Sequence, residues 1–412
     1  MNLNPIILQK VHQLTEELFP NLQRLRRKLH QHPELSGQES WTADLLAEEM
    51  EKLNFRVRTA FAGNGLIADL VTDASKPTVA LRVDMDALPI HEINEVPYRS
   101  KVPGVSHACG HDVHSTIGVG TATVLKRLEE MLPGNVRIIF QPEEEEITGA
   151  LSMIHAGALK NPTPKAIFGC HVAPIPAGQI AWSDGLFLAG FDHYLGTVLP
   201  QKGANLSYDQ LDTVTEQYCQ AILSLNEWHL PNTWEEMETF WGKMREGPPQ
   251  LQHFTVYDAS TDEEEPSAWF RQFGVGVKAA SQELRQQALD RIKAKLNSLC
   301  RSARCDYRLT LCGSMPDMVN HPQLVRSTLP ALTEAIGAHN TVQLKAAFPF
   351  NCEDFAYYTE TIPGAMYWLG GADTTRRKYA MLHTPDFDVD ERCLVTGTNA
   401  MTILLIETLL IR

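Results

Sequence analysis

Three short apolar runs in the first half of the chain each end at a cluster of acidic or metal-ligand residues. Thr78–Val83 stops at Asp84 and Asp86, Val136–Phe140 at Gln141-Pro142 and the four glutamates Glu143 to Glu146, and Ala166–Gly169 at Cys170-His171. Together with Gly65–Val71 these runs are short and rich in branched residues, which predicts strands. Ser115–Met131, between two of them, has helical spacing. Strands alternating with helices imply an α/β domain with a mainly parallel sheet. In such sheets ligands bind beyond the carboxyl ends of the strands, so the three clusters are expected to converge on one polar pocket.

The rest of the chain divides around this pattern. Leu22–Leu53 is helix-like with a break near His32-Pro33. From about Asp184 to Cys312 the sequence is more polar and carries Trp228, Trp234, Trp241 and Trp269. Leu211–Leu225 and Ser281–Leu299 read there as amphipathic helices, Phe254–Tyr257 and Phe273–Lys278 as strands, and Thr261–Pro266 as a solvated loop. The first pattern returns in Leu324–Ile336, Ala365–Gly370 and the final apolar segment Ala400–Ile411. That segment is interrupted by Thr402, Glu407 and Thr408 and is too short to span a bilayer, so it reads as a buried helix. A length of 412 residues suits two domains. The expected organisation is a discontinuous catalytic domain, 1–183 and 313–412, with helices flanking its sheet, and an inserted smaller α+β domain, 184–312.

A net charge of −14 disfavours nucleic acid and anionic membrane as partners. The opening MNLNPIILQKVHQLTEELF lacks the basic and apolar regions of a signal peptide. With 8 scattered cysteines and no C-x-x-C pair, the expectation is a cytoplasmic protein with unpaired thiols.

The segment His107–His114 holds three His, one Cys and one Asp in eight positions. Imidazole, thiolate and carboxylate together suit a zinc-like site, and Asp86 or Asp112 is placed to hold an imidazole by its other nitrogen. The competing reading is a loop of surface histidines, because the spacing is not that of a zinc finger. Glu143–Glu146 would ordinarily be a solvated charge run. It directly follows a strand, however, and adjacent carboxylates can divide labour between binding a cation and moving a proton. His383 has no spacing signal of its own.

Seven stretches carry a family resemblance: LRRKLHQHPELSGQE (25–39), LRVDMDALPI (81–90), HACGHDVH (107–114), IIFQPEEE (138–145), GCHVAP (169–174), CEDFAYY (352–358) and LHTPDFDVDE (382–391). In this order they resemble the M20 metallopeptidases, in the amidohydrolase branch of aminoacylase-like, hippurate-hydrolase-like and auxin-conjugate-hydrolase-like enzymes. The resemblance implies two divalent metal ions held by Cys109, His111, Glu145, His171 and His383, with Glu144 as general acid–base. Zinc is the ion such donors favour, with manganese, cobalt and nickel as alternatives. The implied substrate is a small amide such as an N-acyl amino acid, and the implied partner a second copy bound through the smaller domain. The alternatives are a dipeptidase or exopeptidase of the same fold, or a metal-containing binding protein without turnover. The smaller domain departs from its relatives. Residues 193–212 lack the lid histidine, 263–273 lack the substrate-contacting asparagine, and Lys278 stands where an arginine is common. His193, His229, His253 and the tryptophans are the compositional candidates to replace them.

Overall fold

The break expected at His32-Pro33 is where the first helix ends. The computed structural model describes residues 4–226, 231, 233–247, 254–261, 269–347, 351–379 and 381–411. Helix α1 (Pro5–Gln31) has proline at its first position, and its capping residue Asn4 accepts from the Ile6 amide at 2.9 Å. Helix α2 (Ser40–Lys52) leads to strands β1 (Arg56–Phe61), β2 (Gly65–Leu70) and β3 (Thr78–Asp84). Then come α3 (His111–Arg127), β4 (Asn135–Gln141), α4 (Gly149–His155) and β5 (Ile167–Pro176). The short strands β6 (Ile180–Trp182) and β7 (Leu186–Leu188) precede the long β8 (Gly190–Pro200).

Helices α5 (Tyr208–Leu223) and α6 (Trp234–Glu246) are followed by β9 (Phe254–Asp258), β10 (Arg271–Ala279), α7 (Gln282–Ala303) and β11 (Cys305–Met315). The chain closes with β12 (Met318–Val319), α8 (Pro322–Ile336), β13 (Thr341–Gln343), α9 (Ala356–Thr361), β14 (Gly364–Ala372) and α10 (Cys393–Leu410).

Eight strands form one sheet in the order β1-β2-β4-β3-β5-β14-β6-β13. Its centre, β4-β3-β5-β14, is parallel, and antiparallel pairs flank it. Every residue of β3 and β4 is buried, as a parallel sheet covered on both faces requires. Strand alternation divides those residues between two cores. Val79, Leu81 and Val83 meet Leu22 of α1, Ile117 of α3 and Leu404 of α10 on one face. Ala80 and Ile139 meet Met153 of α4 and Phe355 on the other. Helix α10 is, among the described residues, the one helix long and apolar enough to cross a membrane, and 89% of it is buried inside the fold. It is a core helix that starts at Cys393, earlier than its most apolar part.

A second, antiparallel sheet has the order β11-β8-β10-β9 and its own core, in which Tyr218 of α5 and Ile292 of α7 meet Phe273. Helix α6 does not join that core. Its Met237, Phe240, Trp241 and Met244 pack beside Ile175 and Trp368 under the large sheet. Its last turn is held there by the Lys345 amide, which donates to the Met244 carbonyl at 3.0 Å.

Candidate metal centre

The large sheet brings the expected residues together by strand register. Asp84 and Gln141 are neighbours at the ends of β3 and β4, and His171 lies on β5. Cys109 and His111 flank Gly110 at the start of α3. Gly110 has φ +85°, and a Cβ there would meet Val172 Cγ2 at 3.2 Å and Phe387 Cζ at 3.3 Å. A left-handed residue with a side chain costs about 1–2 kcal/mol before that crowding is added. Gly110→Ala is therefore expected to destabilise the protein by at least about that amount in denaturant unfolding. An unchanged midpoint would show that the turn relaxes without strain.

The four glutamates separate cleanly. Glu143 takes φ +56° and donates its amide to Glu39 Oε1 at 3.0 Å, and Glu146 is exposed. That turn aims Glu144 and Glu145 inward. Cys109 Sγ then lies 3.4 Å from His171 Nε2 and 3.3 Å from His383 Nε2. Glu145 presents Oε2 to His383 Nε2 at 3.4 Å and Oε1 to His111 Nε2 at 3.7 Å, with Glu144 Oε2 3.8 Å from the same nitrogen. Two groups of donors share Cys109, one with His111 and His171 and the other with Glu145 and His383, and Glu144 forms a further group with His111 and Glu145.

The ring orientations are fixed from behind. His111 Nδ1 donates to the carbonyl and Oδ1 of Asp86, at 3.0 Å each, leaving Nε2 buried without a hydrogen-bond partner among the described residues. His171 Nδ1 donates to the Val172 carbonyl at 2.8 Å, which leaves its Nε2 lone pair facing Cys109. His114 has no spare nitrogen: Nδ1 pairs with Asp84 at 2.6 Å and Nε2 accepts from the Val172 amide at 2.9 Å. It is a brace between β3 and β5. Of the two aspartates considered for holding an imidazole, Asp86 holds that of the candidate ligand His111. Asp112 instead binds Arg26 at 2.7 Å and His30 at 2.8 Å. Asp86 also accepts the Glu145 amide at 3.0 Å and the Ser36 hydroxyl at 2.7 Å, so one carboxylate positions three segments.

Electrostatics show what the donor set lacks. Burial pushes the Glu144 carboxyl well above the usual range, and Glu353, Glu145 and Asp354 add to it. Burial likewise pushes Glu145 up to about 7 and raises the Cys109 thiol, which Glu145 and Glu144 raise further. His383, the most exposed of the five, is lowered to about 4, by partial desolvation first and then by His111 and Lys278. Burial opposes a charge on His111 as well, but Asp84, Asp86 and Glu145 outweigh it and raise this ring to about 10. Two buried carboxyls and a thiol crowded this closely need cations to ionise together, and His111 Nε2 and Glu145 Oε1, neither with a hydrogen-bond partner among the described residues, are donors ready for one. The residues fit divalent metal.

A second buried network stands behind the donors, and the sequence reading gave it no role. Arg82 bonds Asp84 at 2.7 Å, Asp354 at 2.8 Å, Gln141 at 2.8 Å and Glu353 at 3.1 Å. Its signal was an arginine inside an apolar strand, a position where a charge survives only if it is paired.

Cys109, Glu144, Glu145, His171 and His383 open on a cavity of about 170 Å³. Its wall includes Lys278 from β10, only 7% exposed, so the second sheet reaches the site. His193 lies elsewhere on β8, with Nδ1 3.3 Å from the Tyr257 hydroxyl, and does not line this cavity. Trp241 is buried and Trp269 is 79% exposed. His229, His253 and Trp228 fall outside the described residues, as does most of Thr261–Pro266.

Residues 80–407 match the family model described as peptidase family M20/M25/M40. The chain is 33% identical over 395 residues to a probable hydrolase of Synechocystis sp., covering 94% of this chain and 96% of that one. It is 31% identical over 406 residues to IAA-amino acid hydrolase ILR1-like 5 of Arabidopsis thaliana, covering 96% and 88%. A dinuclear metal-binding peptidase of the M20 family from Bacillus subtilis superposes with a TM-score of 0.72 at 27% identity, covering 96% and 99%. All the donors of the cavity lie within the matched stretch. The chain belongs to peptidase family M20/M25/M40, as a metal-dependent amidohydrolase.

Proposed function

We propose that this protein hydrolyses the amide bond of small N-acyl amino acids, with two divalent metal ions held by Cys109, His111, Glu145, His171 and His383. The observation that carries this reading is the pair of donor groups sharing Cys109, beside a carboxyl, Glu144, that belongs to neither. When bound, the ions supply a lowered pKa for water and polarisation of the amide carbonyl. Thiolate with imidazole favours zinc. Glu144 takes the proton from the attacking water and gives it to the departing nitrogen, so a single group serves as base and then acid. Lys278, which lines the same cavity, supplies a positive charge for the carboxylate of the substrate. In this reading residues 184–312 act as the lid that carries Lys278. The name of the Arabidopsis relative, an IAA-amino acid hydrolase, supports an amino acid conjugate as substrate.

The test is to reconstitute the protein with zinc, manganese, cobalt or nickel, count bound metal, and assay N-acyl amino acids against dipeptides. Two equivalents of metal and faster turnover of the N-acyl amino acids are expected. Turnover of dipeptides alone would replace the substrate assignment, and a protein that binds no metal would remove the whole reading. Asp86→Ala releases both His111 and the Glu145 backbone, so metal affinity is expected to fall about 10–100-fold in a chelator competition. An unaltered affinity would mean that Asp86 does not position the donors.

A further inference from the structure

We propose that a second cavity, between α6 and the end of β5, binds an aromatic α-amino acid as its zwitterion. The cavity measures about 290 Å³ and shares no lining residue with the one that holds the metal donors. That volume is near the lower end for small-molecule sites, about 300 Å³, and suits one amino acid better than a peptide.

The larger part of its lining is apolar. Pro174, Ile175 and Pro176 of β5 face Met237 and Trp241 of α6. Trp234 and Tyr379 form one side, with ring centroids 6.4 Å apart and planes inclined at 49°. Aromatic rings set at such angles gain from a further ring placed edge-on or offset against them, which selects a planar aromatic guest over an aliphatic one.

The rim carries opposite charges. Glu238 and Arg245 both line the cavity and both are exposed. Seven residues, close to two turns, place them on the same face of the helix with their backbones about 10 Å apart along its axis, so both long side chains must reach inward to meet the adjacent charges of one α-amino acid. An aromatic acid would satisfy Arg245 and face Glu238 as a like charge, and an aromatic amine would do the reverse. A zwitterion answers both, with its carboxylate toward Arg245 and its ammonium toward Glu238. Gln179 adds a side-chain carbonyl oxygen that is buried and has no hydrogen-bond partner among the described residues, an acceptor for a second ammonium N–H.

The test is calorimetric titration of the native, metal-loaded protein with L-phenylalanine, and with phenylacetate, 2-phenylethylamine and L-alanine as probes that each lack one feature. Phenylalanine is expected to bind at least about tenfold more tightly than any of the three, and Trp234→Ala and Arg245→Gln are each expected to weaken it by about tenfold or more. Absence of binding to the native protein overturns the proposal. Binding that survives both substitutions also overturns it, by assigning the amino acid to the metal cavity. Phenylacetate binding as tightly as phenylalanine would overturn the zwitterion assignment. The readout needs no turnover, so it fails or succeeds apart from the hydrolase reading.

Discussion

Glu144→Gln is expected to lower kcat by about 10²–10⁴-fold while the protein keeps its metal. The substitution preserves the size of the side chain and removes only its capacity to carry a proton. Glu144 is 6% exposed and is in neither donor group that shares Cys109, and glutamine keeps an oxygen where its Oε2 lies 3.8 Å from His111 Nε2. Because proton transfer stabilises the transition state and not the bound substrate, KM should change little beside kcat. Metal analysis and steady-state kinetics on the same preparation separate the outcomes. Turnover within a few-fold of the parent would place the base elsewhere, and loss of metal would make Glu144 a ligand.

The second large effect is on stability. Arg82 is 1% exposed and faces Asp84, Glu353 and Asp354. Arg82→Met keeps most of the volume and strands three carboxyls in the interior. Breaking a buried ion pair from one side costs about 3–5 kcal/mol, and denaturant unfolding should show a loss of that order. Asp354 shows how the network is balanced: burial, with Glu353, leaves its carboxyl raised to about 8 even though Arg82, the Gln141 amide and the Ala150 amide pull it down. A loss below about 1 kcal/mol would mean that these carboxyls take up protons and do without the guanidinium. Arg82→Lys keeps the charge and gives up the planar fork, so it should fall between parent and methionine variant.

How much of this was legible beforehand follows from which interactions leave a local trace. Strands β3, β4 and β5 are buried on both faces and read as unbroken apolar runs, and their ends announced the cavity. Strands β8 and β11 did not stand out, because β11 exposes much of its length and its apolar residues are diluted. Helix α6 was missed for a different reason. Its apolar face is plain, but the surrounding sequence says nothing about which core that face enters. Choosing Asp86 over Asp112 as the support for His111 required the Arg26–His30 pair that occupies Asp112. His383 came only through the LHTP resemblance, since one histidine has no period. The Arg82 network joins residues up to 272 positions apart, beyond the reach of any local pattern.

Cys109 and His383, whose donor atoms are 3.3 Å apart, are separated by 274 positions in the chain. At about 5–20 residues per second of synthesis, His383 follows Cys109 out of the ribosome by roughly 14–55 s. Through that interval the growing chain holds at most four of the five proposed donors, and for most of it the β14 neighbour of β5 has yet to be made. The thiol must therefore wait, reduced and without its full set of companions, for the last part of the chain. Metal acquisition becomes a late event in the life of the polypeptide, governed by what reaches the nearly finished protein and by how well Cys109 has been kept from oxidation until then.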